Sequence, residues 1–203
     1  MQWNDENSLD VWKAAVLLVP TENIRCIDIE TTGVCYGDEI LSLTIIDGKG
    51  QVLYDSLFRP SHKRKWAEAQ RINKISPEMV KNMPHFKDCI SDIQKVLEGT
   101  RLYLSYNGEG FDLPFMEEKG VLLPDAPSCD VMLTFNRIYG EWCECFNDYK
   151  WQKLSTCVRY FGDTEFAKKY KAHGSLADAQ ATLYCFNKIA EMQPMKEMDK
   201  HEE

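Results

Sequence analysis

Residues 24–29, Ile-Arg-Cys-Ile-Asp-Ile, form a short and nearly continuous apolar run that passes directly into Glu30-Thr31-Thr32-Gly33. A run of this length, closed by acids and a turn signal, predicts a buried strand that delivers its last side chains to the rim of a sheet. Side chains alternate along a strand, so Asp28 and Glu30 share one face with Cα atoms roughly 6–7 Å apart. A single acid there would be an ordinary strand end turning into solvent. Two on one face, followed by two hydroxyls and a glycine that permits close approach of a polar ligand, form a candidate site.

The rest of the chain alternates strand and helix patterns without an internal repeat. Residues 39–46 and 51–58 are apolar stretches joined by Asp47-Gly48-Lys49-Gly50, a hairpin signal because glycine tolerates the positive φ of such turns. Ser76-Pro77-Glu78 opens a helical piece by its cap and first-turn proline, and Phe86, Ile90, Ile93, Val96 and Leu97 recur at helical spacing. Leu102–Leu104 reads as a fourth strand and Cys129-Asp130 as a short fifth. Helices are predicted from about Phe111, near 131–139 and 151–161, and from about Leu176 to Met192. The order predicts an α/β fold with a mixed five-stranded sheet flanked by helices. With 203 residues, 44% of them hydrophobic, the chain suits one domain. We place it at 23–193, after an extension of residues 1–22 and before a charged, solvated tail at 194–203. Leu9–Val19 in the extension has the pattern of an amphipathic helix that packs on the domain or docks a partner.

Twenty-four basic against 32 acidic residues give a net charge of −8, opposite to the footprint of a protein that grips long duplex DNA. A site holding divalent cations needs clustered carboxylates, however, and the bound metals reverse the local field. The amino terminus lacks a basic flank and the apolar run Ala14–Val19 is too short to span a bilayer, which predicts a cytoplasmic protein with no membrane association. The eight cysteines are scattered and read as free thiols. Cys143-Glu144-Cys145 with Cys157 beyond lacks the spacing of a zinc site.

Two further pieces carry chemistry. Tyr106-Asn107-Gly108-Glu109-Gly110-Phe111-Asp112 is a glycine-rich turn after the fourth strand, with an acid at a helix start. Lys171-Ala172-His173-Gly174-Ser175-Leu176-Ala177-Asp178 places a histidine five residues before an acid in the last helix. Asp-x-Glu-Thr-Thr-Gly, Asn-x-x-x-Phe-Asp and His-x-x-x-x-Asp, in this order, resemble the three motifs of the DEDDh, or DnaQ-like, 3′→5′ exonucleases. The resemblance spans about residues 24–192, including the connector Trp66–Met79 and the segment Leu154–Gly162. Gly174 stands where the related tyrosine branch has its tyrosine.

The resemblance implies an RNase H-like fold and a metal-dependent 3′→5′ exonuclease that releases nucleoside monophosphates by two-metal phosphodiester hydrolysis. Two divalent cations, Mg²⁺ or Mn²⁺, are implied: Asp28 bridging both, Glu30 and Asp178 completing one site, Asp112 serving the other. His173 would be the general base, since an imidazole can shed a proton near working pH. Thr31, Thr32, Asn107 and Phe111 would contact the terminal nucleotide. Tyr106 and Gly108 stand where many members have histidine and alanine. The motifs are most similar to those of proofreading subunits of bacterial replicative polymerases, which implies single-stranded DNA 3′ ends as substrate and a polymerase or other replication partner. RNA and short oligonucleotides are the alternative substrates, and a non-catalytic polymerase-binding module the alternative role, although no metal ligand is lost. From the residues themselves, His62-Lys63-Arg64-Lys65-Trp66 is a candidate track for a single strand, and Lys168, Lys169, Tyr170 and Lys171 could draw a phosphate toward His173.

Overall fold

The computed structural model describes residues 17–35, 37–162 and 165–192. Most of the apolar amino-terminal segment and the charged tail lie outside the described residues. The central strand β1 (Ile24–Thr31) pairs antiparallel with β2 (Ile40–Ile46), which pairs antiparallel with β3 (Val52–Leu57). On its other edge β1 runs parallel to β4 (Leu102–Ser105), and β4 parallel to β5 (Ser128–Asp130). The order β3-β2-β1-β4-β5 is the mixed five-stranded sheet that the strand pattern predicted. Its first hairpin closes as expected: Asp47 Oδ1 accepts the amides of Lys49 and Gln51 at 2.8 and 2.9 Å, and Gly50 takes φ 82°.

Eight helices among the described residues cover the sheet: α1 (Ala67–Asn73), α2 (Pro77–Val80), α3 (Phe86–Leu97), α4 (Asp112–Glu118), α5 (Val131–Tyr139), α6 (Leu154–Tyr160), α7 (Glu165–Lys169) and α8 (Ser175–Glu191). One face of β1 contributes Ile24 and Cys26 to a core with Leu104 and with Ala179, Leu183 and Phe186 of α8. The opposite face contributes Ile27 and Ile29, packed with Leu43, Ile93 and Leu97 of α3 and Leu113 and Met116 of α4. Cover on both faces is why β1 shows so little polar alternation.

Residues 151–153 are not helical, contrary to expectation. The Gln152 amide donates to Asn136 Oδ1 at 2.8 Å and its carbonyl accepts the Tyr106 hydroxyl at 2.9 Å, so helix α6 starts only after Lys153. Helices α1 and α7, and the small hairpin of β6 (Trp142–Cys143) and β7 (Asp148–Tyr149), add to the predicted set. The strands of that hairpin are too short to show a period. No disulfide joins the eight cysteines, and Cys26, Cys129, Cys157 and Cys185 are buried. Among the described residues no helix is long and apolar enough to cross a membrane.

Candidate metal centre and cleft

The face of β1 that begins with Ile24 and Cys26 continues with Asp28 and Glu30, so the core passes into acids along one row. The same row faces α8. Cys26 Sγ donates to the Ala179 carbonyl at 3.3 Å, fixing that helix against β1 one residue from Asp178. The start of α8 is held from β2 as well: Ser175 Oγ lies 2.6 Å from Ser42 Oγ and 2.9 Å from Thr44 Oγ1, the residues paired with Glu30 and Asp28. Ligand atoms of Asp28, Glu30 and Asp178 consequently all lie within 4.8 Å of one another.

Asp112 reaches the same region from the other edge. The β1–β4 pairing ends at Cys26, which leaves the Ile29 amide free of a strand partner on that side, and Asp112 Oδ1 accepts it at 2.9 Å. The turn before it is tight. A Cβ on Gly108 would lie 2.3 Å from Ser105 Cβ and 2.4 Å from Ser105 Oγ, so glycine is required there and alanine would not fit without a shift. That Cβ would also lie 3.3 Å from Asp112 Oδ2, so the serine and aspartate oxygens border one small space, and the buried Ser105 hydroxyl has no hydrogen-bond partner.

The electrostatics set these four carboxylates apart. Burial, then repulsion from Asp112, Asp178 and Glu30, pushes the Asp28 carboxyl well above the usual range. Glu30 is pushed up to about 7 by burial and by Asp178 and Asp112. Burial also raises Asp112 to about 7 against the opposing Ile29 amide, and raises Asp178 against the Tyr170 hydroxyl and the His173 amide. None of the four forms an ion pair with a lysine or arginine among the described residues. An all-oxygen, negatively charged donor set with an unpartnered hydroxyl beside it fits hard divalent cations such as Mg²⁺ or Mn²⁺. A soft metal would select thiolates, and among the described residues no cysteine sulfur joins this group of ligand atoms.

The remaining predicted residues divide. His173 is exposed, adopts φ 73°, and its backbone amide donates to Asp178 Oδ2 at 2.9 Å. Thr31, Thr32 and Phe111 line a cleft of roughly 550 Å³ beside Glu30, together with Val34, Lys65, Ile72 and Asn73. The threonine hydroxyls already have partners: Thr31 donates to the Gly33 carbonyl at 2.6 Å, and Thr32 to Asp38 Oδ1 at 2.7 Å. They shape the loop rather than pointing free donors at a ligand. Asn107, at φ 67°, donates its backbone N–H to Asp130 Oδ1 at 2.9 Å and is not among the residues lining the cleft.

The basic segment is also divided. Trp66 is buried, with its indole N–H on the Ile75 carbonyl at 2.7 Å, so it belongs to the core and meets the cleft only as part of its wall. Lys63 pairs with Asp38 at 3.0 Å, and it lines the cleft together with Lys65 and Trp66 of the expected track. Lys168 and Lys169 both approach Glu165, as on a solvated helix end.

The sequence reading gave Asn73 no role at the site and placed Tyr170 only in the basic run before His173, without its partner. Asn73 Nδ2 donates to the Thr31 carbonyl at 3.1 Å, and its side chain also hydrogen-bonds Glu30. Tyr170 donates its hydroxyl to Asp178 Oδ1. The tyrosine had a weak signal, since a residue eight positions before Asp178 faces it only through the path of the loop.

The chain matches the RNase_T exonuclease family over residues 26–186. It is 29% identical over 175 residues to CP81, an uncharacterized exonuclease of Escherichia phage 186, covering 81% of this chain and 86% of the relative. Among solved structures it resembles exonuclease X in complex with 5′-overhanging duplex DNA, with a TM-score of 0.58 at 20% identity, over 82% of this chain and 90% of the other. It also resembles E. coli exonuclease I in complex with a dA16 oligonucleotide, with a TM-score of 0.65 at 18% identity, over 84% of this chain but only 41% of that longer one. The family match covers all three motif segments and nearly the whole sheet, and the chain therefore belongs to the RNase_T family of exonucleases.

Proposed function

We propose that residues 23–193 form a metal-dependent 3′→5′ exonuclease that releases nucleoside monophosphates from single-stranded DNA 3′ ends. The observation that carries this reading is the meeting of four carboxylates from β1, α4 and α8, Asp28 and Glu30 half-buried and Asp112 and Asp178 buried, without a lysine or arginine partner among the described residues. Asp28, Glu30 and Asp178 would hold one divalent cation, and Asp112 with Asp28 a second. When bound, such a pair supplies charge stabilisation to the attacking and leaving oxygens of an in-line displacement at phosphorus.

The chain's own residues do the rest. The cleft beside Glu30 is lined by Phe111 and by the exposed side chains of Val34 and Ile72, an apolar surface for a terminal base, with Lys65 for the backbone. The His173 amide on Asp178 keeps the histidine beside the carboxylates, where its imidazole takes the proton of the attacking water. The single-stranded oligonucleotide bound by E. coli exonuclease I on a similar fold supports the choice of substrate. No observation among the described residues supports a polymerase partner.

The test is a time course on matched 5′-labelled single-stranded DNA and RNA with Mg²⁺ or Mn²⁺, with Asp28→Ala as the contamination control. A ladder descending from the DNA 3′ end is expected. Faster digestion of RNA would move the substrate to that class, and digestion of neither by the wild-type chain would overturn the reading.

A further inference from the structure

Both oxygens of Asp178 are engaged from one short segment. Oδ1 accepts the Tyr170 hydroxyl, and Oδ2 accepts the His173 amide at 2.9 Å. A carboxylate oxygen has two lone pairs, so these bonds fix the plane of the group while leaving one lone pair on each oxygen for a cation. The segment between the two donors carries the histidine, and it is tied at both ends to the carboxylate that faces Asp28 and Glu30.

Tyr170 is itself held in place. Its amide donates to the Phe166 carbonyl at 2.9 Å, its ring lies nearly parallel to Phe166 at 6.3 Å, and Phe166 packs on Tyr184 of α8 at 4.9 Å. The hydroxyl therefore reaches Asp178 from a ring seated on the same helix that carries the carboxylate. Supports of this kind orient metal ligands, and their loss commonly weakens metal binding by about 10–100-fold.

We propose that Tyr170 is a positioning residue for the metal site, its hydroxyl orienting the Asp178 carboxylate toward the cation and fixing the His173 segment against it. The inference rests on the metal-centre reading above. It differs from the tyrosine of the related branch in sequence position and in role, because here the phenol donates to a ligand.

Calorimetric titration of Mn²⁺ into the full chain, with thermal unfolding of the metal-free protein, provides the test. Tyr170→Phe keeps the stacked ring and removes only the O–H. It should bind Mn²⁺ about tenfold more weakly, with a metal-free unfolding midpoint close to wild type. Phe166→Leu, which removes the ring beneath but leaves the hydroxyl, should lower the midpoint and weaken Mn²⁺ binding less than Tyr170→Phe does. Equal Mn²⁺ affinity of wild type and Tyr170→Phe would overturn this inference alone. A wild-type chain that binds no Mn²⁺ would overturn it together with the metal-centre reading.

Discussion

Two groups of acids stand close together in this molecule and behave in opposite ways. Glu39 accepts three successive amides, from Ser61, His62 and Lys63, and Asp38 accepts from the Thr32 hydroxyl and the Cys35 amide while pairing with Lys63. Burial pushes both upward, but these donors outweigh it and both carboxyls fall below their ordinary values. Asp28, Glu30, Asp112 and Asp178 have fewer donors and no cation, and all four are raised. Residue type is identical in the two groups, so the difference lies in what surrounds the charge. The first group joins the loop after β1 to the basic segment and builds a cleft wall; the second, on the function proposed above, would be neutralised by an external cation.

The largest expected effect tests the second group. Asp28→Asn should reduce metal-dependent digestion to background while raising the unfolding midpoint of the metal-free protein, because it removes a buried charge from among like charges. A lower midpoint would show that Asp28 stabilises the fold as Asp38 and Glu39 do. The reverse is expected of Glu39→Ala, which loses three charge-assisted hydrogen bonds. A cost of about 2 kcal/mol, or a Tm drop of roughly 4–8 °C, should be seen in thermal unfolding, with residual catalysis retained.

The pH dependence separates the groups without a mutation. Glu30 and Asp112 rise from ordinary values to about 7 in the folded state, so between about pH 4.5 and about pH 7 the folded chain binds more protons than the unfolded one. Stability of the metal-free protein should therefore fall as pH rises through that window. Saturating Mg²⁺ should flatten the fall, and identical profiles in Mg²⁺ and in chelator would break the comparison. The smallest effect belongs to Lys63→Ala: its side chain is 45% exposed, so the ion pair with Asp38 is worth less than about 1 kcal/mol, readable by denaturant titration.

Which parts of this were legible beforehand follows from the range of the forces involved. Asp28 and Glu30 share a face because strand geometry is local, and that was readable from two letters two apart. The five strands followed from their apolar runs for the same reason. Helix α1 was missed because its residues, Ala-Glu-Ala-Gln-Arg-Ile-Asn, lack a capping side chain and follow a basic stretch that reads as loop. Trp66 looked like a nucleic-acid contact beside lysines, but its indole N–H finds a buried carbonyl nine residues away.

The sequence by itself determined that this chain builds a mixed α/β sheet with an acidic rim, because apolar periodicity, turn residues and motif order are encoded within short windows. Tertiary structure alone decided that Thr31 and Thr32 have their hydroxyls bonded within the loop, that Gly108 must be glycine against Ser105, and that Tyr170 meets Asp178. Each of these depends on where a side chain arrives after the chain has turned back on itself. Such a meeting is set by loop path and helix packing, which no local pattern of residue types records.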